Sequence, residues 1–426
     1  MKGLPGFRDF YPEDAARRQY VWEKWRAVAE RYGFSEYDGP TLESTDLYAK
    51  KNESGAEILQ QLYNFQDKGE RNVALRPEMT PTLARMVAAR EKNYRKPMKW
   101  FSMGPCFRYE RQQKGRLREF LQLNCDILGD GSTASDSEMI ALAIDLMREF
   151  GFAGEDFVVR VSSRKAWMDF ILARGVSTDL IPSVLQAADK LERDHEDALN
   201  ARLAPAGLTC ADLREFIAGG SPEAFAPLLA DLKARGLDGF VEIDLSIVRG
   251  LAYYTGLVFE VFDKSRSMRA LAGGGRYDGL IAALGDGSVD MPAIGFGMGD
   301  VVLSNYISEH PAASAALNQW LEAHRGCDVA IVLVDEAQRP EALGVLQALR
   351  DQGFSVELPF QVTKVGKQFQ TAEQSGARHA VVIGSEWPLV KLKHLATRTE
   401  TQVPHSELAQ SLRKGQEHGV PGRSAA

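Results

Sequence analysis

The clearest pattern of apolar and polar positions lies between Lys99 and Gly129. Two runs rich in apolar residues flank a polar, basic tip at Arg111–Gly115, and this arrangement predicts a β-hairpin with a long loop. The returning run alternates strictly, so one face carries its polar residues and the other its apolar ones. The residues predicted on the polar face of that run are Phe120, Gln122, Asn124 and Asp126.

Before and after this hairpin, the pattern predicts further helices and strands of a β-rich domain. Helical spacing of apolar residues predicts helices, and short apolar runs between turn residues predict strands. The predicted helices are Pro12–Arg31, Thr82–Arg90, Ser135–Phe150 and Val301–Ile307. The predicted strands are Phe34–Leu42 with a bend at Pro40, Tyr63–Phe65, Val73–Leu75, Phe157–Ser162, Val241–Val248, Leu257–Phe262 and Ala293–Gly299.

Two other regions differ in character from this β-rich domain, which spans 1–162 and 241–315. Residues 163–240 are rich in alanine and leucine, show no strand alternation and predict a helical insertion domain. His310–Ala315 has the composition of a linker, and strands and helices then alternate over 325–405, which predicts a separate α/β domain. The polar tail 406–426 is predicted to be flexible.

Composition excludes several classes of protein. The 426 residues carry a net charge of −7, which argues against broad, non-specific nucleic-acid binding but leaves room for a local basic surface. There is no apolar run of about 20 residues and no signal-peptide core. The four cysteines have no metal-binding spacing, so we expect reduced thiols, a cytoplasmic protein and no metal held by them.

The candidate chemistry starts on the hairpin. Arg108, Glu110, Gln122 and Asp126 are expected on one side, and the tip adds Arg111, Lys114, Arg116 and Arg118. Such a surface suits a phosphate-bearing ligand beside a small polar one. The alternative is a half-exposed hairpin whose polar face meets water.

Two further segments offer groups to the same site. Pro77 shapes a corner before a helix, where Glu78 and Thr80 bind a ligand or, alternatively, Thr80 or Thr82 caps the helix. The triplet Gly273–Gly275 lets a ligand approach the backbone closely or merely makes a tight connection.

The chain resembles the histidyl-tRNA synthetases, a family of class II aminoacyl-tRNA synthetases, over nearly its whole length. The segment ending at Pro40 is similar to class II motif 1, and Phe107–Glu110 through Gln122 is similar to motif 2. The run RGLAYYTG at 249–256 and the run GGGRYD at 273–278 resemble the two signatures of the family. The resemblance implies an α+β fold: an antiparallel catalytic sheet of about six strands, a helical insertion and a C-terminal α/β anticodon-binding domain.

The resemblance also implies roles for individual residues. Arg108 and Arg249 would be the catalytic cations in the reaction of histidine with ATP, with Mg²⁺ bridging the phosphates. The implied ATP-binding residues are Arg108, Glu110, Arg116, Arg118, Phe120 and Arg276. The implied histidine-binding residues are Glu78, Thr80, Gln122, Asp126, Arg249, Tyr253 and Tyr254.

The chain departs from the family pattern at motif 3. That motif ends in Glu-Arg, and its arginine holds the γ-phosphate, whereas Val301 and Val302 stand here, next to Asp300. Smaller departures are Asp126, where the family usually has glutamate, and Ala252, where it usually has an acid.

The resemblance implies tRNA(His) and histidine as partners, no membrane association and a homodimer formed through the helix and strand that end near Pro40. In the C-terminal domain, Lys364, Lys367 and Gln368 lie near the expected anticodon surface or on a solvated face. The competing hypothesis is a histidine-binding regulatory paralogue like the synthetase-like subunit of ATP phosphoribosyltransferase. The missing motif 3 arginine favours it, and the C-terminal domain and the basic hairpin tip argue against it.

Overall fold

The computed structural model describes residues 3–51, 59–110, 115–192, 194–220, 222–248, 253–285, 287 and 289–416. The chain forms two compact units, residues 1–316 and 317–426. Among helices in the described ranges, none has both the length and the apolar character that a membrane crossing requires.

The strands of the described residues are numbered in chain order. They are β1 Ser35–Glu36, β2 Leu42–Ser44, β3 Tyr63–Gln66, β4 Asn72–Leu75, β5 Met98–Phe107, β6 Glu119–Leu128, β7 Phe157–Ser163, β8 Val241–Ile243, β9 Leu257–Asp263, β10 Ala272–Arg276, β11 Ala293–Gly299, β12 Val329–Leu333, β13 Val356–Glu357, β14 His379–Ile383, β15 Leu389–His394 and β16 Glu400–Pro404.

The α-helices are numbered in the same way. They are α1 Pro12–Arg31, α2 Thr45–Lys51, α3 Thr80–Arg90, α4 Thr133–Glu149, α5 Arg164–Ala173, α6 Ile181–Asp189, α7 Glu196–Leu203, α8 Cys210–Gly219, α9 Pro222–Ala234, α10 Leu280–Leu284, α11 Asp300–Glu309, α12 Pro311–His324, α13 Arg339–Arg350, α14 Val365–Ser375 and α15 Leu408–Gln416.

The first unit is built on an eight-stranded sheet with the order β1-β5-β6-β11-β10-β9-β7-β8. The six central strands pair antiparallel with one another, whereas the edge strands β1 and β8 pair in parallel with β5 and β7. β5 and β6 pair along their whole length, from Met98 opposite Leu128 to Phe107 opposite Glu119. The predicted hairpin is therefore confirmed, while most of its predicted tip, 111–114, lies outside the described residues.

Helices cover this sheet because their apolar stripes need burial. Ten side chains of α4, from Ser135 to Met147, are buried, and α4 contacts α1, α9 and β11. Within 163–240, α5 to α8 enclose a small core of their own around Trp167, Val184 and Leu213. The second unit has a five-stranded sheet of order β13-β12-β14-β15-β16, in which only β15 and β16 run antiparallel to their neighbours.

Several predicted elements need correction. The strand expected at Phe34–Leu42 is two short strands, β1 and β2, on either side of Pro40, because proline donates no ladder hydrogen bond. Only the first three residues of the strand expected at 241–248 pair. The linker expected at His310–Ala315 lies largely in α12.

The prediction of a flexible tail from residue 406 is wrong for the first part of the tail, which is helical. α15 occupies Leu408–Gln416, and its Leu408 and Leu412 are buried in the core of the second unit. The helix is amphipathic, but only these two leucines form its apolar stripe. Because the other residues are mostly polar, the sequence pattern did not predict a helix here. The rest of the predicted tail, 417–426, lies outside the described residues.

Candidate active site

A polar pocket opens on the face of the sheet formed by β6, β11 and β10. It gathers residues from six separate stretches of the chain. Its lining residues are Glu78, Thr80, Arg108, Gln122, Asn124, Tyr253, Tyr254, Gly273, Tyr277, Gly295, Phe296 and Gly297. Six of the residues predicted to bind substrate therefore lie around one cavity: Glu78, Thr80, Arg108, Gln122, Tyr253 and Tyr254.

Strand β11 is flattened by glycine so that polar side chains of β6 fit beside it. Gly295 pairs with Asp126, and a methyl group added to Gly295 would lie 1.9 Å from Asp126 Oδ1. A methyl group added to Gly297 would lie 2.3 Å from Gln122 Nε2. The alternating glycines thus make room for the carboxylate and the amide.

Asp126 does not line this pocket, but it contacts two residues that do, Tyr277 and Gly295. The hydroxyl of Tyr277 donates a 2.5 Å hydrogen bond to Asp126 Oδ1, and both side chains are buried. Burial raises the pKa of Asp126 to about 7, and the Tyr277 hydrogen bond opposes that rise. The phenol therefore fixes a carboxyl group that exchanges its proton near neutral pH.

The corner before α3 is fixed by the buried guanidinium of Arg76. Its Nε donates to Pro105 O at 2.9 Å and its Nη1 to Gly39 O at 2.9 Å. No side chain caps α3, whose N-cap residue is Met79, so the capping alternative for Thr80 and Thr82 is wrong. Arg76 thus holds the corner that presents Glu78, whose Oε2 accepts a 3.3 Å hydrogen bond from the Tyr253 hydroxyl.

Arg108 lies where the pocket meets the hairpin. Its Nε donates to Pro77 O at 3.0 Å, and its guanidinium carbon lies 5.2 Å from the centre of the Phe120 ring. The backbone contact orients the guanidinium, and the aromatic face supports it. A cation and an aromatic ring therefore lie side by side at the edge of the pocket.

The other hairpin groups predicted for ATP are engaged with one another. Arg116 Nη1 forms a 2.7 Å ion pair with Glu110 Oε2. Arg118 donates from Nε to Glu110 O at 3.3 Å and stacks 4.2 Å from the Tyr109 ring centre. Arg118 therefore braces the base of the hairpin loop. Arg111 and Lys114 lie outside the described residues.

Among the predicted ATP-binding residues, Arg276 is the one whose contacts differ most clearly from the prediction. Its side chain is only 7% exposed, and its nitrogens donate to Asp136 Oδ1, Ser135 Oγ and the carbonyls of Asp130 and Ser132. It also contacts Asp278. A guanidinium used fully inside the protein has no donor left for a phosphate, so Arg276 joins β10 to the start of α4.

Two of the three glycines of the triplet allow neighbouring strands to pack closely within the sheet. A methyl group on Gly274 would lie 2.2 Å from Gly295 O, and one on Gly275 would lie 2.6 Å from Leu257 O. Gly273 alone lines the pocket. Arg249, predicted as the second catalytic cation, lies outside the described residues together with Gly250, Leu251 and Ala252.

The start of α11 carries the departure from motif 3. Asp300 accepts a 2.9 Å hydrogen bond from the Leu121 backbone N–H and forms a 2.7 Å ion pair with Arg8 Nη2. Burial raises the pKa of Asp300, and the neighbouring Arg8 lowers it. Val302 lies on the next part of the helix, where a methyl group added to Gly115 would be 3.4 Å from Val302 Cγ2.

Sequence reasoning missed two residues of the pocket, Asn124 and Tyr277. Asn124 was placed on the polar face of β6 but given no role, although its alternation with Gln122 and Asp126 predicts a shared face. Tyr277 stands next to Arg276 in the second signature, but its contact with Asp126 joins segments far apart in sequence. The described residues contain no cluster of three or more His, Cys, Asp or Glu that would hold a metal ion.

The six-stranded antiparallel core, the hairpin arginine and the glycine-flattened strand beside a polar pocket define a class II aminoacyl-tRNA synthetase. A family model described as histidyl-tRNA synthetase matches residues 6–299, and one described as anticodon binding domain matches residues 328–415. The chain therefore belongs to the histidyl-tRNA synthetase family. The predicted family and α+β fold class are confirmed.

Two curated relatives cover almost the whole chain. The histidine–tRNA ligase of Opitutus terrae is 41% identical over 97% of this chain and 98% of its own length. The chloroplastic/mitochondrial histidine–tRNA ligase of Arabidopsis thaliana is 37% identical over 95% of this chain and 85% of its own.

Solved structures share the fold. The apo Staphylococcus aureus histidyl-tRNA synthetase has a TM-score of 0.71 at 23% identity and covers 97% of this chain and 100% of its own. An ATP phosphoribosyltransferase regulatory subunit/histidyl-tRNA synthetase from Bacillus halodurans has a TM-score of 0.69 at 23% identity, over 90% of this chain and 98% of its own.

Proposed function

We propose that this chain is a histidine–tRNA ligase, which activates histidine with ATP and transfers it to the 3′ end of tRNA(His). The observation that carries the proposal is the convergence of Glu78, Gln122 and Tyr254 with Arg108 around one pocket. Carboxylate, amide and phenol groups suit an amino acid, and a guanidinium suits a phosphate. The family relationship supports the same function.

The histidine end of the pocket is proposed to surround Asp126. An imidazole N–H donates to its carboxylate, which Tyr277 holds in place. Glu78, Thr80 and Gln122 take the α-amino group, and Tyr253 and Tyr254 close the pocket. A site whose buried groups need these partners rejects amino acids that lack them by roughly 10⁴–10⁵.

The nucleotide end is proposed to start at Arg108 and Phe120. The ring stacks on adenine, and the guanidinium contacts the α-phosphate. Glu110 takes the adenine amino group once it releases Arg116, which then reaches the outer phosphates. Arg249 is proposed near the reacting carboxylate.

Activation forms a bond between a carboxylate oxygen of histidine and the α-phosphorus, while the bond from that phosphorus to pyrophosphate breaks. Negative charge grows on the phosphoryl oxygens, so fixed guanidinium groups aimed there accelerate the step by about 10²–10³ each. In the second step a tRNA hydroxyl attacks the carbonyl carbon and AMP leaves.

Mg²⁺ is the metal that the family implies. This ion binds oxygen, keeps several waters and is usually held by substrate phosphates plus one or two carboxylates. Mg²⁺ neutralises phosphate charge when it is bound.

The second unit is proposed to read the anticodon, in keeping with its family match. Lys364 and Lys367 are exposed at the start of α14 and would contact the phosphate backbone. Gln368 is no longer a candidate, because it is buried and hydrogen-bonded to Leu333 N and O. A homodimer through α1 and the edge strand β1, and a cytoplasmic location, remain predictions.

Histidine-dependent exchange of pyrophosphate into ATP, followed by charging of tRNA(His), tests the proposal. We expect exchange with histidine alone among the amino acids. If no amino acid supports exchange while histidine still binds, the regulatory-paralogue hypothesis replaces the ligase.

Two arginine variants localise the chemistry. Arg108→Ala should lower the exchange rate by about 10²-fold or more, because it removes a guanidinium from the reacting phosphate. Arg249→Ala should abolish exchange, and near-full activity would remove Arg249 from the mechanism. Arg214→Ala is the matched control, since this exposed arginine pairs with Glu196 in the helical segment and should leave exchange unchanged.

A further inference from the structure

The phenol of Tyr37 carries a buried hydroxyl group that has no hydrogen-bond partner among the described residues. Tyr37 directly follows β1, and its backbone N–H donates to Phe101 O on β5 at 2.9 Å. A buried hydroxyl without a partner destabilises the folded state, because the group has lost its hydrogen bonds to water and gained none in return. Such a group in a folded protein calls for an explanation, and a role in ligand binding is one.

Tyr37 lies among the side chains that surround the base of the proposed histidine site. Its ring packs on Trp100 with the ring centres 5.7 Å apart, and Trp100 is the residue of β5 that stands opposite Asp126 on β6. Opposite residues of an antiparallel pair point to the same face of a sheet, so the side chains of Trp100 and Asp126 are neighbours. Tyr37 also packs against the apolar cluster that contains two residues of the pocket, Tyr254 and Tyr277.

Electrostatics identifies the acceptor that suits this hydroxyl. Burial raises the pKa of Tyr37 well above its ordinary value, and the charge of the nearby Asp126 raises it further, so the phenol keeps its proton and can donate it in a hydrogen bond. A carboxylate accepts about four hydrogen bonds, and Tyr277 donates to Oδ1 of Asp126, which leaves capacity for another donor. The carboxylate of Asp38 is 75% exposed and pairs with Arg76, so it suits a buried donor less well.

We propose that Tyr37 is a positioning residue for the ring of bound histidine. When the imidazole N–H donates to Asp126, the Tyr37 hydroxyl donates to the same carboxylate, so that two phenols, those of Tyr37 and Tyr277, fix its orientation towards the ring. The inference rests on the proposed function, because it takes histidine as the ligand of this pocket. The free chain thus carries an unpaired donor that histidine binding satisfies, and stability is given up for binding at this position.

The test compares Tyr37→Phe with Tyr94→Phe in the full chain. Tyr94 also packs on Trp100, with the ring centres 4.8 Å apart, but its side chain is 45% exposed, which makes it the matched control. Calorimetric titration should show about tenfold or greater loss of histidine affinity for Tyr37→Phe, because a hydrogen bond to a charged group is lost. ATP affinity should change less than twofold in both variants, and Tyr94→Phe should bind histidine like the unaltered chain.

Urea unfolding without ligand separates a positioning role from a structural one. Tyr37→Phe removes an unpaired buried hydroxyl, so its unfolding midpoint should equal or exceed that of the unaltered chain. A lower midpoint together with weaker binding of both histidine and ATP would show that Tyr37 has only a structural role, and would overturn the proposal.

Histidinol places the effect at the ring end of the ligand. It keeps the imidazole of histidine and lacks the carboxylate, so Tyr37→Phe should lower the affinity for histidinol by the same factor as that for histidine. An unchanged histidine affinity in Tyr37→Phe, or a loss that spares histidinol, would contradict the proposal. Because binding is measured without tRNA, a chain that binds histidine through Tyr37 but supports no exchange would refute the ligase function alone. An unaltered chain that binds no histidine would refute both.

Discussion

The hydroxyl of Tyr277, which lines the pocket, donates a 2.5 Å hydrogen bond to Oδ1 of the buried Asp126. The two residues lie on different segments and are separated by β11, which has glycine at the position next to Asp126. This pair joins the second family signature to the motif 2 hairpin. It also places a titrating group at the base of the proposed histidine site, and the first two predictions concern it.

Asp126 should make stability depend on pH. Burial raises its pKa to about 7 in the folded chain, so between about pH 4 and pH 7 the folded state binds a proton that the unfolded state releases. This contribution to the free energy of unfolding is present at low pH. It falls as pH rises, by up to about 1.4 kcal/mol for each pH unit. Asp126→Asn should remove that slope in urea unfolding followed at pH 5, 6, 7 and 8. The exposed Asp169→Asn should keep it, and an identical slope in Asp126→Asn would contradict the prediction.

Gly295→Ala should damage histidine binding through Asp126. The added methyl group would lie 1.9 Å from Asp126 Oδ1, so the carboxylate must turn away from Tyr277. Loss of a hydrogen bond to a charged group should raise the KM for histidine in exchange about tenfold or more. Gly279→Ala is the control because open space surrounds its added methyl group. Tyr277→Phe removes only the hydroxyl and should raise the same KM. This variant replaces Gly295→Ala in the test if Gly295→Ala fails to fold.

Arg276 should matter for stability more than any single surface arginine. Arg276→Met leaves Asp136 buried without its cation, and the pKa of Asp136, already about 6 because of burial, should rise further. Removing one partner of a buried pair costs about 3–5 kcal/mol of unfolding free energy, whereas an exposed pair costs under about 1 kcal/mol. Urea unfolding of Arg276→Met and of Arg148→Met, whose partner is Asp145, measures the difference. Similar losses in the two variants would show that Arg276 is not a structural anchor.

Phe360 is predicted to stack on a base of tRNA. Its side chain is 99% exposed, and Arg339 holds its backbone by donating to Pro359 O and Phe360 O. Base stacking on an aromatic side chain contributes about 1–3 kcal/mol, so Phe360→Ala should raise the KM for tRNA(His) between about fivefold and 150-fold. Pyrophosphate exchange without tRNA should not change. The control is Leu343→Ala, an exposed apolar residue on α13 in the same unit, and an equal effect of both would exclude stacking.

The local elements could be predicted because their signals lie within a few residues. Proline and two acids at the start of α1 set its first turn, and the alternation of Ala293–Gly299 marks a strand whose bounds the structure reproduces. Elements without such signals were missed or misplaced. β15 and β16 contain several polar residues and therefore lack a continuous apolar run. α12 begins inside a stretch that has the composition of a linker.

The sequence by itself determined the family, the fold class and the residue types of the candidate site, because these depend on motifs that are contiguous in the chain. It could not show which of several arginines are held by partners inside the protein, because a guanidinium looks the same in sequence whether it is buried or exposed. Only the tertiary structure put Arg276 against Asp136 and Tyr277 against Asp126. These contacts join strands and loops distant in sequence, and their geometry follows from sheet register and burial, which no local pattern encodes.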